Sequence, residues 1–177
     1  MKKSFLHRLK PLTFLPAILM MCVIFSFSGQ NGEQSSGLSE KVARGVISVT
    51  ERALDKEWEE DTVNKYIDVL QFPIRKGAHM SEYFVLCCLV SLPLYVYGLR
   101  GIRLFAAAVL FCAGFAATDE FHQSFIGGRS PSVRDVCIDT AGAVIAGGAV
   151  RLLCVLSGKR GSTQCHDGCA DSCGAQP

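Results

Sequence analysis

The chain has 177 residues, 49% of them hydrophobic, and a formal charge of +2. That length suits one domain, and a charge so near neutral carries no basic footprint, so nucleic acid is not expected as a partner. The apolar residues gather into long runs separated by short charged joints, a pattern that argues against an ordinary soluble domain.

Residues 1–10 carry Lys2, Lys3, Arg8 and Lys10 ahead of an uncharged run over 11–28. The positive-inside rule places such a basic start in the cytoplasm. A membrane helix needs about 20 mainly apolar residues, and this run qualifies. A cleaved leader is the competing reading, but the apolar middle is longer than a usual signal core and no A-x-A site follows. Pro16 lies inside the run and predicts a kink. The run ends F-S-F-S-G-Q-N-G; Ser28 and Gln30 either carry hydrogen-bonding groups to the helix end or simply terminate it.

Residues 29–79 form the outer loop. Val42, Val46, Val49 and Ala53 recur at helical spacing, and so do Val63, Ile67 and Leu70. Two amphipathic helices are expected, joined by the charged stretch D-K-E-W-E-E-D and lying on or capping the outer surface. Pro73 is expected to end the second of them, because the residue before a proline avoids the helical region.

The second span is expected over about 80–99, entered through I-R-K-G-A-H-M-S-E-Y. His79 and Glu82 are three apart and share a helix face. Glu82 falls below headgroup level, so it must face other helices or a wet cavity; it serves either a site or a structural bond to Arg75 or Arg129. The third span, about 102–118, depends on Arg103 snorkelling toward headgroups.

Then comes T-D-E-F-H-Q-S-F-I-G-G-R-S-P-S-V-R-D-V-C-I-D-T, residues 118–140, with Asp119, Glu120, His122, Gln123, Arg129, Arg134, Asp135 and Asp139 packed between two apolar runs. An ionisable group at the bilayer centre costs about 2.5–3.5 kcal/mol even on the lenient insertion scale, so such density marks a candidate site. The fourth span is expected over about 136–156. Gly142 with Ala146, and Ala143 with Gly147, have the small-x-x-x-small spacing that brings helices close. Residues 157–177 read as a flexible tail in which Cys165, Cys169 and Cys173 flank His166 without the usual structural-zinc spacing. Six further cysteines lie in apolar runs and read as small hydrophobes.

Helix parity unites these observations. The end of span one, the start of two, the end of three and the start of four fall on one side. The polar residues sit at those four ends: Ser28 and Gln30; Arg75, Lys76, His79 and Glu82; Asp119, Glu120, His122 and Gln123; Arg134, Asp135 and Asp139. One outer-face pocket is expected, with Arg129 held over it by Gly127, Gly128 and Pro131. Its arginines suit an anion, held bidentately. His79 and His122, partnered by Glu82, Asp119 or Glu120, suit proton transfer. A metal held by His79, Glu82, Glu120 and His122 is the weaker alternative, and neither metal nor cofactor is assigned. Arg100, Arg103, Arg151, Lys159 and Arg160 fall on the opposite side, which puts both termini in the cytoplasm.

At these residues the sequence resembles the VanZ-like family of bacterial membrane proteins. The resemblance rests on Phe27-Ser28 with Gln30, Arg75 through Tyr83, Asp119 through Arg129, and Asp135 with Asp139, Thr140 and Gly142, and it covers roughly 14–155. Asp139 departs from the pattern, where Asn is expected, and adds a carboxylate. The resemblance implies an all-α, integral membrane four-helix bundle of the cell membrane, some relatives of which confer low-level resistance to the glycopeptide teicoplanin. It implies no established reaction. Two functions are carried forward: binding of an anionic ligand, such as a membrane lipid or lipid-linked envelope precursor, and an enzyme that modifies such a molecule by His/Glu acid–base chemistry.

Overall fold

The computed structural model describes residues 10–30, 32–126 and 132–163. Every regular element among them is helical. A 3-10 turn, Lys10–Phe14, leads into α1 (Leu15–Ser28); α2 (Gly32–Leu54), α3 (Glu60–Val96), α4 (Gly101–Gln123) and α5 (Val133–Thr163) follow. Four segments are long and apolar enough to cross a membrane: Lys10–Ser28, Glu60–Val96, Gly101–Gln123 and Val133–Ser157. The protein is a multi-pass membrane protein.

The spans alternate in direction. Phe14 stacks at 5.6 Å on Tyr97, so the start of the first span meets the end of α3. At the other end Ser28 meets Asp119 of α4. The turn between α3 and α4 is tight enough to need two left-handed glycines, Gly98 (φ 102°) and Gly101 (φ 59°).

Two prolines act differently from expectation. Pro16 sits in the first turn of α1 rather than in its interior; there its missing N–H would have had no helical partner anyway, so it starts the helix and kinks nothing. Pro73 does not end a helix. The 37-residue α3 runs through both Pro73 and Pro93. Each proline forfeits one backbone bond, and packing of the surrounding turns outweighs that loss. At 1.5 Å per residue α3 is about 55 Å long, against a hydrocarbon layer of about 30 Å. Its N-terminal part therefore projects beyond the bundle, paired with α2.

That pairing uses a different face of α2 from the one the valine spacing suggests. Ser39, Ala43 and Ile47 are buried, and Ala43 and Ile47 pack with Ile67, Val63, Leu70, Ile74 and Trp58. Val42, Val46 and Val49 stay exposed. The small side chain of Ala43 lets α2 approach α3, and the valine stripe lies beside the contact. In α3 the Val63, Ile67 and Leu70 spacing does mark the buried face.

The bundle core is built from small and medium side chains: Ala17, Ile24, Leu86, Cys87, Ala108, Cys112, Ala116, Ala143 and Ala146 among them. The small-residue spacing on α5 has the expected meaning. A Cβ on Gly142 would stand 2.2 Å from the Met80 carbonyl oxygen of α3, and one on Gly147 would stand 2.9 Å from the Phe105 ring of α4. Gly142 therefore sets how close α5 comes to α3, at the level of the polar residues.

Candidate functional site

The polar end of the bundle is held first by a buried network. Ser28, the last residue of α1, donates from Oγ to Asp119 Oδ2 at 2.6 Å. Gln123, one turn further along α4, donates from Nε2 to the same oxygen at 3.0 Å and to Ser28 Oγ at 3.1 Å. All three side chains are buried. Ser28 thus does more than end its helix: it ties α1 to α4. A charge-assisted bond of this kind contributes about 1.5–3 kcal/mol.

Further contacts join the other ends. Lys76 Nζ lies 2.5 Å from Asp135 Oδ2, bridging α3 to the start of α5. Glu120 Oε1 accepts the Ser132 backbone N–H at 2.6 Å, which holds the start of α5 against the end of α4. Arg75 reaches α2, donating from Nη2 to Ser36 Oγ at 2.6 Å, and so does not pair with Glu82. Instead His79 Nδ1 lies 3.4 Å from Glu82 Oε2 on the shared face. Asp139, buried on α5, sits in electrostatic range of His79, Asp119, Asp135 and Glu120. The four ends therefore converge.

Not every expected residue is buried with them. His122 is solvent-exposed and packs its ring 5.2 Å from Phe25. His122 follows Asp119 by three residues and stays in its electrostatic range, at the exposed edge of the cluster, while Glu120 is buried. Arg134 is also exposed, 5.7 Å from the Phe72 ring. Arg129, with Gly127, Gly128 and Pro131, lies outside the described residues, as do Lys2, Lys3, Arg8 and the tail cysteines. Among the described residues no three His, Cys, Asp or Glu side chains converge as a metal site requires.

One inward residue was absent from the sequence-derived set. Tyr83 is fully buried, its ring 6.1 Å from Phe115, in electrostatic range of Asp119, Asp139 and Glu82. The signal was there: Tyr83 lies four residues after His79, on the same face of α3. Tyr83 Oη, Asp119 Oδ1 and Arg75 Nε have no hydrogen-bonding partner among the described residues. Buried tyrosine hydroxyls normally have one.

A groove of about 150 Å³ opens between the end of α1, α2 and α3. Arg75, His79 and Glu82 form its polar side, and Phe27, Leu38 and Val42 its apolar lip. The lining is mixed, with Gln30, Ser35 and Ser39 adding polar groups from the end of α1 and from α2.

A profile of the VanZ/LLP1 family matches residues 13–154, which take in all four spanning segments and the projecting hairpin. The chain belongs to the VanZ/LLP1 family. No curated protein and no solved structure matches it. In this VanZ/LLP1 protein the described polar residues that carried the resemblance gather at one end of the bundle, with His122 at its exposed edge.

Proposed function

We propose that this VanZ/LLP1 protein holds the anionic head of a membrane lipid or lipid-linked envelope precursor at the polar end of its bundle. Arg75 is the anchor. Its guanidinium spends one nitrogen on Ser36, and its buried Nε has no partner among the described residues, while the side chain lines the groove. The buried carboxylates of Asp119, Glu120 and Asp139 would repel an anion, which favours the headgroup at the Arg75 side, where His79 stands against the Glu82 carboxylate, and the acyl part along Phe27, Leu38 and Val42. The polar end faces outward from the cell membrane and both termini face the cytoplasm, in keeping with the basic anchors Arg100, Arg103 and Arg151 at the other end. Such a protein would alter access to envelope precursors, which supports a link to teicoplanin resistance. The single observation carrying the proposal is the half-buried Arg75 beside an apolar-lipped groove.

Native mass spectrometry of protein extracted from its own membranes tests it. Arg75→Gln should lower the bound anionic lipid by about 10-fold or more, the worth of one hydrogen bond to a charged group, and Arg75→Lys should fall between. An unchanged lipid complement in Arg75→Gln rejects the proposal.

One contact favours the second reading, an enzyme acting on the same ligand: His79 and Glu82 are 3.4 Å apart beside the groove. Proton transfer would fall to that pair rather than to the exposed His122. His79→Gln should then abolish any lipid modification found by lipidomics while leaving the lipid bound.

A further inference from the structure

The opposite end of the bundle holds a second cavity, of about 340 Å³, between α3, α4 and α5. Its walls are mainly apolar, with Leu104, Phe105, Val150 and Val155 among them, and Arg100 and Arg151 stand at it too. Arg100 is fixed: it stacks 3.5 Å over the Tyr95 ring and donates to the carbonyls of Tyr95 and Leu99. Arg151 is exposed and has no carboxylate partner among the described residues. No Asp or Glu occurs between Tyr83 and Thr118, or between Thr140 and Thr163. Among the described residues this end is therefore cationic, with no carboxylate to compensate it. The first turn of α4 opens on the same space through Gly101 and Leu104, adding the positive pole of a 23-residue helix.

We infer that this cavity is a binding site for an anionic glycerophospholipid of the adjoining leaflet, its phosphate between Arg100 and Arg151 and an acyl chain between α4 and α5. Charge complementarity selects the occupant. Basic pockets between membrane helices suit anionic headgroups, and two guanidinium groups suit phosphate better than a zwitterion whose own amine repels them. An apolar recess of this size beside lipid is filled by hydrocarbon, not water. The site lies at the far end from the Arg75 groove and stands whether or not that groove binds a lipid.

The experiment uses the full chain, purified in a neutral detergent, with phosphatidylglycerol, phosphatidylcholine or inorganic phosphate added. Native mass spectrometry reads retained lipid and thermal unfolding reads protection. The wild type should retain phosphatidylglycerol about 10-fold better than phosphatidylcholine, a preference set by one to two charge-assisted contacts. Arg100→Gln with Arg151→Gln should bring the two lipids within about two-fold. Arg103→Gln, exposed on the same end but outside the cavity, should keep the preference. Cys154→Trp, which fills the cavity from an exposed wall position, should displace the lipid without removing charge. Should the double variant fail to fold, Arg151→Gln alone and Cys154→Trp decide the matter, since either one leaving the preference intact overturns the site. Equal loss in Arg103→Gln would show diffuse surface charge, and equal protection by inorganic phosphate would show a free-anion site; both overturn it.

Discussion

Replacing Gly142 with alanine should do more damage than any other single-methyl change in the bundle. The added Cβ would stand 2.2 Å from the Met80 carbonyl oxygen, and 3.0 Å from both the Met80 carbonyl carbon and Cγ. Non-bonded heavy atoms sit best at about 3.5–4.0 Å, so α5 must retreat from α3 by about 1 Å or more. A gap of 0.5–1 Å on a packed face forfeits about a quarter to a half of each contact. Overpacking costs about 1–3 kcal/mol, and the upper end applies because a backbone carbonyl cannot rotate away. Loss of about 3 kcal/mol lowers the folded-to-unfolded ratio over 100-fold at equilibrium. The same retreat pulls Asp135 from Lys76 and Asp139 from His79.

Two neighbouring glycines supply the controls. Gly147→Ala meets the Phe105 ring at 2.9 Å, a side chain that can turn, so it should cost about 1 kcal/mol. Gly148→Ala meets nothing within 4 Å and should stabilise α5 by up to about 1 kcal/mol through helix propensity. Denaturant unfolding in detergent micelles reads all three. The order Gly142, Gly147, Gly148 is the expected one. A Gly142→Ala protein as stable as the wild type, or a Gly148→Ala protein as weak as Gly142→Ala, refutes the close-approach reasoning.

Ser28→Ala removes a donor from the buried Asp119 and should cost about 1.5–3 kcal/mol in the same assay. Ser26→Ala, whose hydroxyl bonds only to the Cys22 carbonyl of its own exposed turn, should stay within about 0.5 kcal/mol. Ile47→Ala or Ile67→Ala should loosen the projecting hairpin by about 2–4 kcal/mol, seen as faster proteolysis within α2, whereas Val49→Ser on the exposed stripe should leave cleavage unchanged. Single cysteines introduced at the exposed positions Ser124 and Tyr97, in a cysteine-free background, should label from opposite sides of the membrane; labelling from one side would break the alternating arrangement.

Much of the polar end could be read along the chain because a membrane span has only two ends. Once four apolar runs are counted, parity alone puts Ser28, His79, Asp119 and Asp135 on one side. Glycine spacing on α5 was legible for a similar reason, since only small residues permit close helix contact. The hairpin was harder. Valines at 42, 46 and 49 and the buried pair Ala43 and Ile47 satisfy the helical period equally well one residue apart, and only the partner helix chooses between them. Pro73 does not end its helix because packing keeps α3 continuous against the local preference of the residue before a proline.

Sequence by itself determined the number of spans, their alternation and the end at which charge collects, because hydrophobic length and charge position are one-dimensional properties. Rotation of each helix about its axis was decided only in three dimensions. That rotation buried Glu120 and left His122 at the exposed edge, paired Lys76 with Asp135, gave Ser28 to Asp119 and brought Tyr83 into the acidic cluster. On an α4 apolar almost all round, periodicity does not say which side faces lipid, so tertiary packing had to choose.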